Sequence, residues 1–161
     1  MEISIREATE SDFDHVSPVF LDELAFHSDL LPDRFQMVEE TMTRKWFLDI
    51  VQNQDKGLLL AQLGSNIVGV LHIEMHKSPG LPFFVPRSYA YVSDLAVSRT
   101  FRFRGYGRNL MKYAIAWAKD RGADAIELKV WAINKDAISF YERLGFETVQ
   151  RRMSLGLDAE L

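Results

Sequence analysis

Between an apolar run, Tyr89 to Val97, and a periodic stretch that opens at Gly107 lies Arg102-Phe103-Arg104-Gly105-Tyr106-Gly107. A loop set between a strand and a helix presents unpaired backbone N–H groups and the positive end of the helix dipole. Glycines there permit a close approach that side chains would block. Such a loop suits a pyrophosphate, and Arg102, Arg104 and Arg108 would add charge-assisted hydrogen bonds wherever their side chains point that way. The same letters also describe a Gly-rich strand-to-helix turn with solvated arginines, so the loop alone decides nothing. The dinucleotide fingerprint fits worse, because Leu110 occupies the third glycine position, and a Walker lysine is absent.

A second group of residues suits proton transfer. Along Leu71 to His76 the pattern alternates, placing Leu71, Ile73 and Met75 on one face of a strand and His72, Glu74 and His76 on the other. Glu74 is one candidate general base, the competing reading being a solvent-facing row. Asp94 is another, or else a buried carboxylate that anchors a bulge or a neighbouring loop. His72 and His76 would stand roughly 13 Å apart by the strand rise, too far to share a metal, so no metal site is expected. His15 and His27 read as helix-surface residues. Phe83, Phe84, Tyr89 and Tyr91 either line an acceptor pocket or pack a core. Tyr141 sits on an apolar helical face, where an aromatic is ordinarily structural. The sequence has no cysteine, which excludes disulfides, thiolate metal sites and an acyl-cysteine intermediate.

These residues need elements to hold them. At 161 residues the chain has the size of one domain, expected to cover 1–161, and 47% hydrophobic with 26% charged residues excludes disordered and fibrous classes. Residues 2 to 7 alternate like a strand. Thr9-Glu10-Ser11-Asp12 offers a helix N-cap ahead of Phe13, Val16, Phe20 and Leu24, with Pro18 as a kink. After Leu31-Pro32-Asp33 a second periodic stretch carries Phe35, Val38, Met42, Trp46, Phe47 and Ile50. Gly57 to Leu63 and Ile67 to Met75 read as an antiparallel hairpin about Gly64-Ser65-Asn66, and Lys77 to Arg87 as a Pro-rich loop bordering a pocket. The strand Tyr89 to Val97, a helix from Gly107 to Arg121, a strand from Ala125 to Trp131 and a helix capped by Asn134 follow. Phe146 to Ser154 would supply a final strand. The order β, α, α, β, β, β, α, β, α, β is that of an α/β mixed-sheet domain.

Charge limits the partners. A formal net charge of −4 is the opposite of what a phosphate-backbone binder needs, so nucleic acid is not expected. The start, MEISIREATESDF, has no basic segment leading into an apolar run, and nowhere do 18 apolar residues occur in succession. The expectation is therefore no membrane partner and cytoplasmic residence. One sequence does not set the oligomeric state; a homodimer is entertained.

Asp94-Leu95-Ala96-Val97, then Arg102-x-x-Gly105-x-Gly107, then Asn134-x-x-Ala137-x-x-Phe140-Tyr141-x-x-x-Gly145-Phe146 resembles the successive motifs of the GNAT superfamily of acetyl-CoA-dependent N-acetyltransferases. The match covers about Tyr89 to Glu147. It implies a mixed, mostly antiparallel sheet, flanked by helices, whose two central parallel strands splay to admit the pantetheine arm of acetyl-CoA, the co-substrate. Cofactor contacts are implied at Leu95, Ala96 and Val97, through Phe103, Gly105, Tyr106 and Gly107 with the flanking arginines, and at Asn134, Ala137 and Phe140. Tyr141 is implied as the acid that protonates the departing thiolate. With no cysteine to acylate, a primary amine would attack directly in a ternary complex, its oxyanion held by a backbone N–H near Leu95. Histone-modifying members carry a glutamate base slightly earlier in this strand, where the chain has Tyr91, which points away from histone-type chemistry. A small amine is the expected acceptor; a non-catalytic acyl-CoA-binding module and a protein N-terminal acetyltransferase are the alternatives.

Overall fold

The computed structural model describes residues 2–160, and the chain divides into two compact units, Met1–Lys129 and Val130–Leu161. The first unit holds a five-stranded sheet in the order β1 (Ile3–Glu7), β2 (Lys56–Leu63), β3 (Asn66–Lys77), β4 (Ser88–Val97), β5 (Ala125–Leu128). Neighbours are antiparallel except β4 and β5, which run parallel. Helices α1 (Phe13–Leu30), α2 (Arg44–Val51) and α3 (Tyr106–Asp120) complete the unit.

The entry to α1 is locked by one carboxylate. Asp12 accepts from the Thr9 N–H at 2.7 Å and the Thr9 hydroxyl at 2.9 Å, and Arg6 grips both its oxygens at 2.7 and 2.8 Å. Arg6 also donates to Gln62 on β2, so β1, β2 and the helix start share one network. The Arg6 hydrogen bond, ahead of those from Thr9, holds the buried Asp12 carboxyl well below the usual carboxylate range. α1 runs on through Pro18, and the carbonyl that proline leaves without a donor belongs to the exposed Asp14.

The two faces of the sheet have different neighbours. Val16, Val19 and Phe20 of α1 and Phe47 and Ile50 of α2 pack with Leu58, Leu60, Val70 and Ala96. On the opposite face α3 lies close enough that a Cβ on Gly69 would meet Leu110 at 3.1 Å, and one on Gly57 would meet Trp117 at 2.9 Å. Leu59, Ala61, Leu71, Ile73, Leu110, Met111 and Ala114 on that side are fully withdrawn from water. At about 1.5–3 kcal/mol for each large side chain, these two layers supply the main driving force for folding.

Three expectations change. The stretch from Phe35 to Ile50 is one short helix preceded by a loop. Leu31 closes the end of α1 by accepting from Arg34 and Phe35, and Thr43 Oγ1 opens α2 by accepting from the Trp46 N–H. The apparent period spanned two elements; Met37 and Val38 are exposed, whereas Met42 reaches the core from the loop. β5 ends at Leu128 instead of Trp131. Phe146 to Ser154 forms no strand, and Val149 and Met153 are exposed, because the second unit has no other strand to complete a ladder among its described residues. That unit consists of α4 (Lys135–Arg143) followed by chain without regular structure beyond a turn.

The hairpin forms as read, with Leu63 opposite Asn66 and Gly64 at φ 62° in the two-residue turn. No helix among the described residues is long and apolar enough to cross a membrane.

Candidate functional site

β4 changes character halfway along. Its pairing with β5 runs from Tyr89 opposite Ala125 to Val92 opposite Leu128 and stops there, while pairing with β3 continues to Val97 opposite Gly69. From Asp94 to Val97, therefore, one edge of β4 has no strand beside it among the described residues of this unit. That edge takes part in no second ladder, and the Val97 carbonyl accepts instead from Arg102 Nε at 3.0 Å. At the same point the β3–β4 register shifts: His72 lies opposite Asp94 and Ile73 opposite Val92, leaving Ser93 as the bulged residue. The bulge turns Asp94 onto the α1–α2 face of the sheet, the face that also carries Tyr91, opposite Glu74.

Beyond Val97 the chain turns through Arg99–Phe101 into the glycine loop. Phe103, a residue 93% exposed, takes φ 62°, and Gly105 takes φ 86° as N-cap of α3, so two left-handed residues shape the turn. No side chain caps α3, which leaves the N–H groups of Tyr106, Gly107 and Arg108 pointing out of the helix start. A Cβ built on Gly105 meets nothing within 4 Å, so the cradle opens outward. Alternating left- and right-handed residues ahead of a helix make an anion nest. Arg102 turns away from it, donating to the Val97 carbonyl at 3.0 Å with its guanidinium 4.7 Å from the Phe26 ring centre, and Arg104 lies over Phe101.

The polar residues of β3 form a line. His72, 3% exposed, has Asp94 Oδ2 3.3 Å from Nδ1 and Glu74 Oε1 2.9 Å from Nε2, and the edge of Trp46 from α2 lies against its ring. Glu74 Oε2 is 3.3 Å from Nε2 of His76, which stacks on Tyr91 at 5.3 Å, and Lys56 Nζ is 3.8 Å from Glu74 Oε1. Burial raises the Tyr91 phenol above its ordinary value, aided by the charge of Asp94.

α1 brings two further groups. Burial pushes the half-buried Glu23 carboxyl up to about 8, with Asp94 adding repulsion and Arg102 opposing it. His27, half-buried between the rings of Phe26 and Phe35, donates Nδ1–H to the Glu23 carbonyl, and burial lowers its imidazole. It is not the surface residue that its sequence neighbours suggest; His15 is. Among the described residues no group of three or more His, Asp and Glu side chains is arranged to hold a metal ion. A polar cavity of about 540 Å³ lined by Glu7, Ala8, residues 50–58, Asp120 and Arg121 meets this cluster at Lys56 alone.

In the second unit Asn134 Oδ1 caps α4 by accepting from the Ala137 N–H at 3.2 Å. Tyr141 is half-buried between the rings of Phe140 and Phe146, at 5.2 and 5.6 Å.

Comparison with known proteins identifies the lineage. The sequence model of the acetyltransferase (GNAT) family matches residues 23–146. The chain belongs to this GNAT family. It is 31% identical over 144 residues to an uncharacterized N-acetyltransferase of Methanocaldococcus jannaschii, covering 89% of this chain and 60% of the relative. It is 29% identical over 122 residues to N-alpha-acetyltransferase 30 of Homo sapiens, covering 72% of this chain and 32% of the relative. The chain thus spans 60% and 32% of the lengths of these two proteins. A crystal structure of a mutant BH1408 protein from Bacillus halodurans superposes with a TM-score of 0.90 at 32% identity, over 96% of this chain and 99% of that one.

The GNAT match begins at Glu23, a carboxyl with no signal in the sequence, since it lies on a helix whose pattern is set by its apolar positions. The alternation of residues 71–76 did place His72 beside Glu74; only the register showed that Asp94 stands across from it.

Proposed function

We propose that this GNAT chain moves an acetyl group from acetyl-CoA directly to a primary amine in a ternary complex, and that residues 1–161 act as one N-acetyltransferase domain in the cytoplasm. The observation that carries this is the sequence of the unpaired β4 edge from Asp94 to Val97, then the left-handed Gly105 turn, then the uncapped start of α3. The loop's open N–H groups suit the diphosphate, and the β4 edge suits an amide-bearing arm that can add to a strand.

The amine nitrogen attacks the thioester carbonyl, the carbon–nitrogen bond forms and the carbon–sulfur bond breaks. A backbone N–H near Leu95 holds the oxyanion. Asp94 or Glu74 takes the amine's proton, and Tyr141 returns one to the thiolate. With the Asp94 and Glu74 carboxylates on one sheet face, a small cationic amine is the acceptor this charge pattern favours. A peptide N-terminus is the second reading, supported by the similarity to N-alpha-acetyltransferase 30.

Calorimetry with acetyl-CoA, followed by thiol release over a panel of small amines and short peptides, tests this. Binding with thiol release on small amines is expected; release on peptides alone selects the second reading, and no acetyl-CoA binding rejects the proposal.

A further inference from the structure

The two candidate bases differ in what their oxygens already touch. Both oxygens of Glu74 are engaged, Oε1 with Lys56 Nζ at 3.8 Å and Oε2 with His76 Nε2 at 3.3 Å. The Asp94 carboxylate has a single partner among the described residues: Oδ2 lies 3.3 Å from Nδ1 of His72, and Oδ1 is free. Asp94 is also the more open of the two, with 32% of its side chain exposed against 24%. An amine therefore finds an unoccupied acceptor at Asp94 and none at Glu74.

His72 decides where that oxygen points. A neutral imidazole has one N–H to give. Nε2 makes no hydrogen bond, although Glu74 Oε1 lies 2.9 Å from it, so the proton sits on Nδ1 and is donated to Asp94. The donor cannot swing away. His72 is 3% exposed, Trp46 from α2 packs edge-to-face against its ring at 5.4 Å, and the bulge at Ser93 sets Asp94 directly across the ladder. With Oδ2 held, the carboxylate no longer turns freely and Oδ1 keeps one direction.

We infer that His72 is a positioning residue for acetyl transfer: its Nδ1–H holds Oδ2 of Asp94, which leaves Oδ1 to accept the proton of the acceptor ammonium. The proton moves from the amine nitrogen to Oδ1, the freed lone pair attacks the thioester carbonyl, and Asp94 later gives the proton up to water. His72 keeps its own proton throughout and touches no substrate atom. The arrangement selects Asp94 over Glu74 as the base. It also gives the buried ring a use that packing does not, since an apolar ring would fill the same space against Trp46 and leave the Asp94 carboxylate free to turn.

This role rests on the acetyl-transfer reading, and two measurements separate their failures. Nitrogen-15 NMR of the imidazoles in the intact protein should show His72 protonated at Nδ1; an unprotonated Nδ1 would overturn the inference whether or not the protein is active. Two amide variants supply the kinetic test, because the Asn amide reaches the position of Nδ1 and the Gln amide that of Nε2. In thiol release with a basic amine, His72→Gln should lower kcat about tenfold or more with the KM for acetyl-CoA unchanged, and His72→Asn, which still donates to Asp94, should recover most of that loss. Equal kcat in the two variants, or a lower one in His72→Asn, would mean that the ring only fills space. Absence of thiol release by the wild type with every amine and peptide would instead reject the acetyl-transfer reading itself.

Discussion

His72 Nδ1 and Asp94 Oδ2 meet at 3.3 Å across β3 and β4, at the register position where β4 carries its extra residue. Were Ser93 paired instead of bulged, His72 would lie opposite Ser93 and Asp94 opposite Leu71, on the apolar face packed by α3. One unpaired residue thus determines whether the carboxylate stands in the polar row or in the core.

Replacing Asp94 by Asn retains the shape but removes the proton acceptor. Turnover with a basic amine should fall by about 10²–10⁴, the range of a positioned general base, while acetyl-CoA affinity measured by calorimetry stays the same. Unchanged turnover would transfer the role to Glu74 or to water.

Gly105→Ala tests the loop. The added Cβ meets no atom, so any loss comes from forcing φ 86° on an L side chain, at about 1 kcal/mol, or 2–4 °C in Tm. Acetyl-CoA affinity should fall further than that, because the methyl group would project into the cradle. Gly80→Ala, also in open space but without a left-handed φ, should change neither and serves as the control.

Glu23 makes stability depend on pH. Its folded carboxyl titrates near 8, against about 4.3 in the unfolded chain, so between those values the folded state holds the extra proton and stability declines as pH rises. Glu23→Gln removes that decline. The variant should match the wild type near pH 4 and exceed it near pH 8.5 by the order of 1 kcal/mol, a figure discounted for partial exposure, as read by thermal melts at the two pH values.

Asp12 acts in the opposite sense. Its folded carboxyl lies below the unfolded value of about 3.9, so its contribution is present above that pH and is lost as pH falls toward the folded value. Asp12→Ala should cost about 2–4 kcal/mol in urea unfolding at pH 7, because Arg6 and the Thr9 N–H lose their acceptor, and much less at pH 2.

The sequence by itself determined what neighbouring residues decide among themselves: the alternation that puts His72, Glu74 and His76 on one face, the hairpin connection about Gly64-Ser65-Asn66, the caps at Thr9 and Asn134, and the glycine turn before α3. Such features rest on periods and dihedral preferences within a few residues, which the order of letters records directly. It misjudged Phe35 to Ile50, where one period ran across two elements, and Phe146 to Ser154, where an extended segment needs a partner that local pattern does not supply. The tertiary structure alone decided that Ser93 is skipped, that Asp94 consequently faces His72, and that α1 brings Glu23 and His27 within electrostatic reach of Asp94. Those relationships depend on register and on which face of the sheet a helix covers, and strands far apart in the chain settle both only when they pair.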